Sequence, residues 1–184
     1  MVVLVVKLQS LLMIGIVVVL VLSAGCTDEE PTDLALPPKD NIQPGQVLVT
    51  IGDVTGDGLA GGTIDTITFT LGLAPGATGP VDMEKISIVY ADTIKTETLV
   101  PVEGYRGDPA RGEWGILGIT NEIGSPNNRL DDKEQYIIRI NPWAYLPANR
   151  MVTIVVRTAT GTPLTFRRVA PPTIIQTNNI LAPL

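Results

Sequence analysis

Apolar and polar side chains alternate with a period of two through most of this chain. Val47, Val49 and Ile51 alternate with Leu48 and Thr50, and Ile67, Phe69 and Leu71 alternate with Thr66, Thr68 and Thr70. In an extended chain successive side chains point to opposite faces, so this pattern predicts strands with one apolar face. Further segments of the same kind are EKISIVYA (84–91), TETLVPVE (96–103), WGILGIT (114–120), EQYIIRI (134–140), MVTIVVRT (151–158) and PLTFRRV (163–169). Turn signals rich in Gly, Pro, Asn and Asp separate them at 73–80, 103–113, 124–132 and 159–162. No window carries a helical stripe. About eight strands at these spacings predict an all-β fold, an antiparallel β-sandwich with Greek-key connections.

A different pattern precedes the strands. Residues 8–25, LQSLLMIGIVVVLVLSAG, are almost wholly apolar, follow Lys7 and end at Cys26. Such a run is long enough to span a bilayer, or to form the apolar core of a secretion signal. The ending LSAGC is similar to a lipoprotein box, with small residues suited to a peptidase and a thiol that can accept lipid. Ser23 stands where that motif prefers a branched aliphatic residue. Residues 1–26 are thus a signal or a membrane anchor, with Cys26 the candidate lipid-attachment residue. Residues 27–45 are acidic and hold Pro31, Pro37, Pro38 and Pro44, a spacer at roughly 3.1 Å per residue if extended. The β domain is expected over 46–184, outside the membrane and tethered to it.

Composition narrows the chemistry. The chain has 184 residues, no His and one Cys, so it has no Ser-His-Asp or Cys-His relay and no imidazole for a metal. A lone Cys forms no internal disulfide, and the fold must rest on its core. The net charge of −6 argues against nucleic acid, which needs a basic stripe. Enzymes working by carboxylates alone stay formally open.

The stretch GDVTGDG (52–58) looks like the opening of a calcium loop, with Asp53, Thr55 and Asp57 at alternate positions and Gly58 at the bend. A helical-hand loop needs an acidic ligand at its twelfth position and a helix after it. Here the twelfth residue is Ile64, Asp65 comes one place late, and a strand pattern succeeds it. A looser Ca2+ site between Asp53, Asp57 and Asp65 is the residual metal hypothesis. The main expectation is a strand, a connection over Gly52–Gly62 and a second strand. Asp131, Asp132 and Glu134 beside Asn127 and Asn128 form a second oxygen-rich loop, read as a solvated turn with calcium as the alternative. Paired carboxylates for glycoside chemistry need a cleft, and neighbours in a strand point apart. Trp114, Trp143, Tyr136 and Tyr145 are expected in the core or at a sandwich end; Trp143 and Tyr145 are the candidate binding surface. Arg167 and Arg168 come directly after Phe166, so one of the two is expected to meet a carboxylate or cover apolar surface.

With these residues placed, residues 46–176 resemble the outer domain of archaellins, the archaeal flagellins. VTIGDVTGDGLAGGTIDTITFTLGLAPGATGPVDMEKISIVYAD is similar to the family's first strand, Gly-rich connection, Thr-rich strand, Gly/Pro loop and next strand. The likeness continues in WGILGIT and DDKEQYIIRI, and LPANRMVTIVVRTATGTPLTFRRVAPPTI is similar to the family's closing hairpin. The resemblance implies an immunoglobulin-like β-sandwich and a structural, non-catalytic role at the cell surface of an archaeon. The chain departs from the family at its start. Archaellins polymerise through a long apolar helix exposed by cleavage after a Lys-Gly or Arg-Gly junction; here Leu8 comes after Lys7, and prolines interrupt any helix leaving the apolar segment. Asn121, Asn128 and Asn149 all lack the hydroxyl two places on that a glycosylation acceptor requires.

These features favour a membrane-tethered envelope or archaellum-associated component whose partners are envelope or filament proteins or further copies of itself, met through sheet edges or exposed apolar patches. The alternatives are a filament-forming archaellin subunit for motility, and an extracellular binding module for a glycan or a surface-layer protein, stabilised by calcium in one version and needing no cofactor in the other. Trp143 discriminates between them: protected from solvent quenchers it supports a structural role, and exposed and quenched by added glycan it supports a binding role.

Overall fold

The computed structural model of the chain describes residues 43–122 and 124–184. The apolar segment, Cys26 and the linker as far as residue 42 lie outside the described residues. Among the described residues thirteen strands run in chain order: Leu48–Leu59 (β1), Thr63–Leu73 (β2), Val81–Asp82 (β3), Ser87–Ala91 (β4), Thr96–Arg106 (β5), Glu113–Thr120 (β6), Arg129–Leu130 (β7), Gln135–Asn141 (β8), Leu146–Pro147 (β9), Met151–Arg157 (β10), Leu164–Val169 (β11), Asn179–Ile180 (β12) and Ala182–Pro183 (β13). Eight of them are five residues or longer, matching the eight alternating segments of the sequence.

The eight long strands form two layers, β1-β2-β8-β6 and β5-β4-β10-β11. Numbered along the chain, that order is 1-2-6-5 against 4-3-7-8, which is the immunoglobulin arrangement with one added strand after the third. The sandwich expected from the sequence is thus present, and its pairings are antiparallel with one exception. β5 lies parallel to β6, with Val100 opposite Glu113 and Pro101 opposite Trp114, and so carries the first layer into the second.

Alternation fills the space between the layers. Ile67, Phe69 and Leu71 of β2 and Tyr136, Ile138 and Ile140 of β8 meet Val152, Ile154 and Val156 of β10, all buried. The Phe69 ring meets the Phe166 ring edge to face at 5.2 Å across the layers. Tyr136 is buried at its ring, and its hydroxyl lies 3.0 and 3.1 Å from the carbonyls of Asn127 and Arg129. Burial pushes its phenol pKa up to about 12. Arg168 is buried beside Phe166 with its guanidinium 5.2 Å from the centre of the ring, so one of the Arg pair covers apolar surface as expected.

Two expectations are corrected in detail. The connection between the first two strands is not Gly52–Gly62, because β1 continues to Leu59 and the turn occupies residues 60–62. β1 passes through the Gly-rich stretch by means of a bulge between Ile51 and Thr55, with Gly52 at φ 70°. The later glycines are there for close approach: a Cβ on Gly56 would collide with Ile64, and one on Gly58 with the backbone of Ile175. Likewise β4 begins at Ser87, because residues 83–85 form a single 3-10 turn capped by the Asp82 carboxylate, which accepts from Glu84 N at 3.1 Å.

The C-terminal residues close the structure. β12 pairs with Thr55 and Gly56 of β1, and β13 pairs with Arg168 and Val169 of β11, with Leu181 alone between them. Leu181 is 1% exposed and inserts into the core, its N–H donating to Val54 O at 2.9 Å. At the opposite end of β1, Gln46 bridges to Thr162 just before β11. The tail and this bridge join the outer strands of both layers, and the β5–β6 pair joins the layers on the other side. Strand addition, one of the routes the sequence left open, would have to displace the tail where it covers Thr55 and Gly56 of β1 and Arg168 and Val169 of β11.

Candidate functional site

The register fixes two ends. Leu48 faces Leu73 at one, where Gly45, Val47, Ala74 and Thr162 are tied by backbone hydrogen bonds. At the other lie the start of β2, the β4–β5 hairpin, the start of β6 and the segment joining β8 to β9. Residues 65 and 73 bound this span along β2, roughly 25 Å at the usual strand rise.

Trp143 and Tyr145 sit at that far end, 60% and 47% exposed, while Trp114 and Tyr136 are core residues. The exposed pair is held by groups from three separate stretches of chain. Glu97 on β5 accepts from the Trp143 backbone N–H at 2.9 Å and pairs with Lys95 at 3.2 Å. Arg111, just before β6, donates to the carbonyls of Pro142 and Trp143 at 2.9 and 3.2 Å. The same guanidinium meets Asp65 of β2 at 2.6 Å and lies 3.8 Å from the centre of the Tyr145 ring. The indole of Trp143 rests against Gly112, where a Cβ would collide with Trp143 Nε1 and where φ is 81°. A glycine here meets both demands, the close approach and the left-handed backbone.

Asp65, one of the three calcium candidates, is thus engaged with a guanidinium. Asp57 is as well: Arg139 on β8 reaches its carboxylate at 3.3 Å, Asp108 at 3.0 Å and the Thr68 hydroxyl at 3.1 Å. Asp53 is exposed in the bulge. Among the described residues no group of three His, Cys, Asp or Glu side chains is placed to hold a metal, so Asp53, Asp57 and Asp65 are not brought together. In the second acidic loop, Glu134 is buried and accepts from Asp131 N at 3.0 Å, which shapes the turn into β8. Asn127 accepts from Arg129 N at 2.7 Å, and Asn128 accepts from Arg106 and donates to Glu84. Asp131 and Asp132 line a shallow depression of about 300 Å³ with Leu73 to Ala77, at the end opposite Trp143. Cys26 lies outside the described residues.

The supporting groups Glu97, Arg111 and Gly112 were not singled out in the sequence. They lie 31 to 46 residues from Trp143 in the chain, and no local spacing links them.

By sequence, no family model and no curated protein matches the chain. By structure, it is similar to archaeal flagellin FlaB1 from Methanocaldococcus jannaschii, at 15% identity and a TM-score of 0.56, over 73% of this chain and 96% of that one. It is also similar to the archaeal flagellum of Methanospirillum hungatei strain JF1, at 17% identity and a TM-score of 0.51, over 73% of this chain and 71% of that one. The described domain thus has an archaellin-like fold.

Proposed function

We propose that this chain is a non-enzymatic structural component of the cell surface, of archaellum or envelope type, whose β domain stands outside a membrane to which its N-terminal residues tether it. The observation that supports this reading is the archaellin-like fold, in which the likeness extends over 96% of the FlaB1 chain. A tether is inferred from the apolar run at 8–25, the LSAGC ending and the proline-rich spacer. The carboxylates at the described end sites are engaged in ion pairs and turns, an arrangement suited to holding loops in place. On this reading the filament-forming helix of archaellins is replaced by an anchor, with Cys26 as the residue that accepts lipid.

Fractionation of producing cells tests the proposal. The full chain is expected in the envelope, open to protease on intact cells, and Cys26→Ser is expected to change the mass of the mature N-terminus by more than the substitution itself. Recovery in the cytosol would overturn a surface role, and recovery as the main subunit of sheared filaments would replace the tethered component with a filament subunit.

A further inference from the structure

Trp143 is a large apolar side chain in water, yet its backbone is held on both sides and one side of its ring is in contact with the fold. Its backbone N–H is held by Glu97 and its carbonyl by Arg111, and its ring lies on a glycine with no room for a Cβ. Burial cannot be the reason for this arrangement, since the residue remains 60% exposed. What the network secures is the placement of one indole face, already ordered before anything binds, and ordering in advance is the condition for useful affinity at a small contact. Tyr145 is stiffened in the same way by the Arg111 guanidinium over its ring.

The surroundings indicate the occupant. The core of a protein-docking surface is depleted in charge. Here the aromatic pair is bordered by the Arg111–Asp65 pair and the Lys95–Glu97 pair, which a covering protein would have to strip of water. Sugar hydroxyls instead take hydrogen bonds from such groups, since a carboxylate accepts up to about four and a guanidinium donates about five. The C–H face of a pyranose ring matches a flat, exposed indole. We propose that Trp143, with Tyr145, Asp65, Arg111 and Glu97 around it, is a carbohydrate-binding platform for a neutral glycan with flat pyranose faces. The paired charges at the site leave no surplus of cations to draw an anionic polysaccharide, and the chain as a whole is at −6. The platform lies at the end of the domain away from Gln43. This inference stands on the local geometry and holds whether or not the chain belongs to an archaellum.

The test reads Trp143 directly. Trp114 is wholly buried, so iodide should quench Trp143 alone. The full chain in detergent is titrated with neutral hexose oligomers, namely cellotetraose, β-1,4-galactotetraose and β-1,4-mannotetraose, with tetragalacturonate as the anionic comparator. At least one neutral oligomer is expected to protect Trp143 saturably. Followed by calorimetry, its affinity should fall by about tenfold or more in Trp143→Ala, and less in Tyr145→Ala, with the thermal unfolding of both variants near that of the parent. Protection by none of the neutral oligomers, tighter binding of tetragalacturonate, or affinity unchanged in Trp143→Ala would each overturn the proposal. Protection that grows with protein concentration in the absence of sugar would overturn it in favour of contact between copies. Membrane fractionation is indifferent to all these outcomes, so failure here and failure of the surface role are separable.

Discussion

Asn179 is where the closure of the sandwich can be probed most sharply. It is 4% exposed and belongs to β12, the short strand that ties the C-terminal tail to β1. Its amide nitrogen donates to Gly56 O at 3.0 Å and Ile175 O at 2.7 Å, and its amide oxygen accepts from Ile175 N at 2.7 Å. Asn179→Ala removes these hydrogen bonds, of which the one to Gly56 O is buried and the two to Ile175 are half-buried. At a net value of about 1 kcal/mol per bond, and more where a buried group is left unpaired, the loss is about 3 kcal/mol. For a domain of this size that lowers Tm by roughly 10 °C.

Asn179→Asp separates hydrogen bonding from shape. The substitution keeps the volume but turns the donor into an acceptor that faces two carbonyl oxygens, so at neutral pH it should destabilise more than Asn179→Ala does. Burial and the facing carbonyls favour the protonated form, which raises the folded-state pKa of the introduced carboxyl above its unfolded value of about 3.9. Between those two values the folded state binds more protons than the unfolded one, so stability falls as pH rises through the window. The Asp variant should therefore regain stability on acidification relative to the Ala variant. Urea unfolding of both variants and the parent across acidic to neutral pH measures this. An Ala variant within about 0.5 kcal/mol of the parent, the range of ordinary surface substitutions, would refute the reasoning. So would an Asp variant that tolerates neutral pH as well as the parent does.

Four further outcomes are expected. Gly112→Ala forces a Cβ into the Trp143 indole at a left-handed φ, so it should cost about 1–2 kcal/mol in urea unfolding and increase iodide quenching of Trp143. The Tyr136 phenol should titrate near pH 12 in the folded protein, against an ordinary value of 10.0. The unfolded state then releases the proton first, and stability should decline as pH rises from about 10 to about 12, seen as phenolate absorbance together with circular dichroism. Arg139→Met removes a guanidinium shared by Asp57, Asp108 and Thr68 at a partly exposed site, so a loss of about 1 kcal/mol that shrinks at high salt is expected from thermal melts. Deleting residues 174–184 uncovers β1 and β11 together, and the product should form oligomers by strand pairing, visible by light scattering, unless it fails to fold at all.

The strands were legible because their code is local. Residues 67, 69 and 71, or 152, 154 and 156, show the buried face by alternation alone, and the structure buries all six. The order of the layers was legible only through likeness to a family, since period-two segments carry no record of which strand neighbours which. GDVTGDG misled in a specific way. Glycines are the usual sign of a turn, but Gly56 and Gly58 lie in β1 because Ile64 and the tail residue Ile175 come too close for a side chain. Ile175 is far along the chain from Gly58, and nothing at residue 58 announces it. The aromatic site was half legible. Trp143 and Tyr145 could be named from their residue type, but exposure and the hold of Glu97, Arg111 and Gly112 depend on chain crossings that only the folded register supplies.

Closure of the sheet edges bears on how such a domain takes part in a larger assembly. Strand addition needs a row of unpaired N–H and C=O groups, and here the tail covers Thr55 and Gly56 of β1 and Arg168 and Val169 of β11, while the Gln46–Thr162 bridge ties the opposite end of the two strands. Contacts through the outer face of β2 and β8 would have to desolvate Arg139 with Asp57 and Asp108, a costly exchange unless new partners replace every bond. Detaching the tail to free an edge would expose Leu181 and break the Asn179 network at once. Pairing at the covered stretches therefore requires the tail to leave first. The end of the domain furthest from Gln43 has no such cover over Trp143, whose indole stands in water.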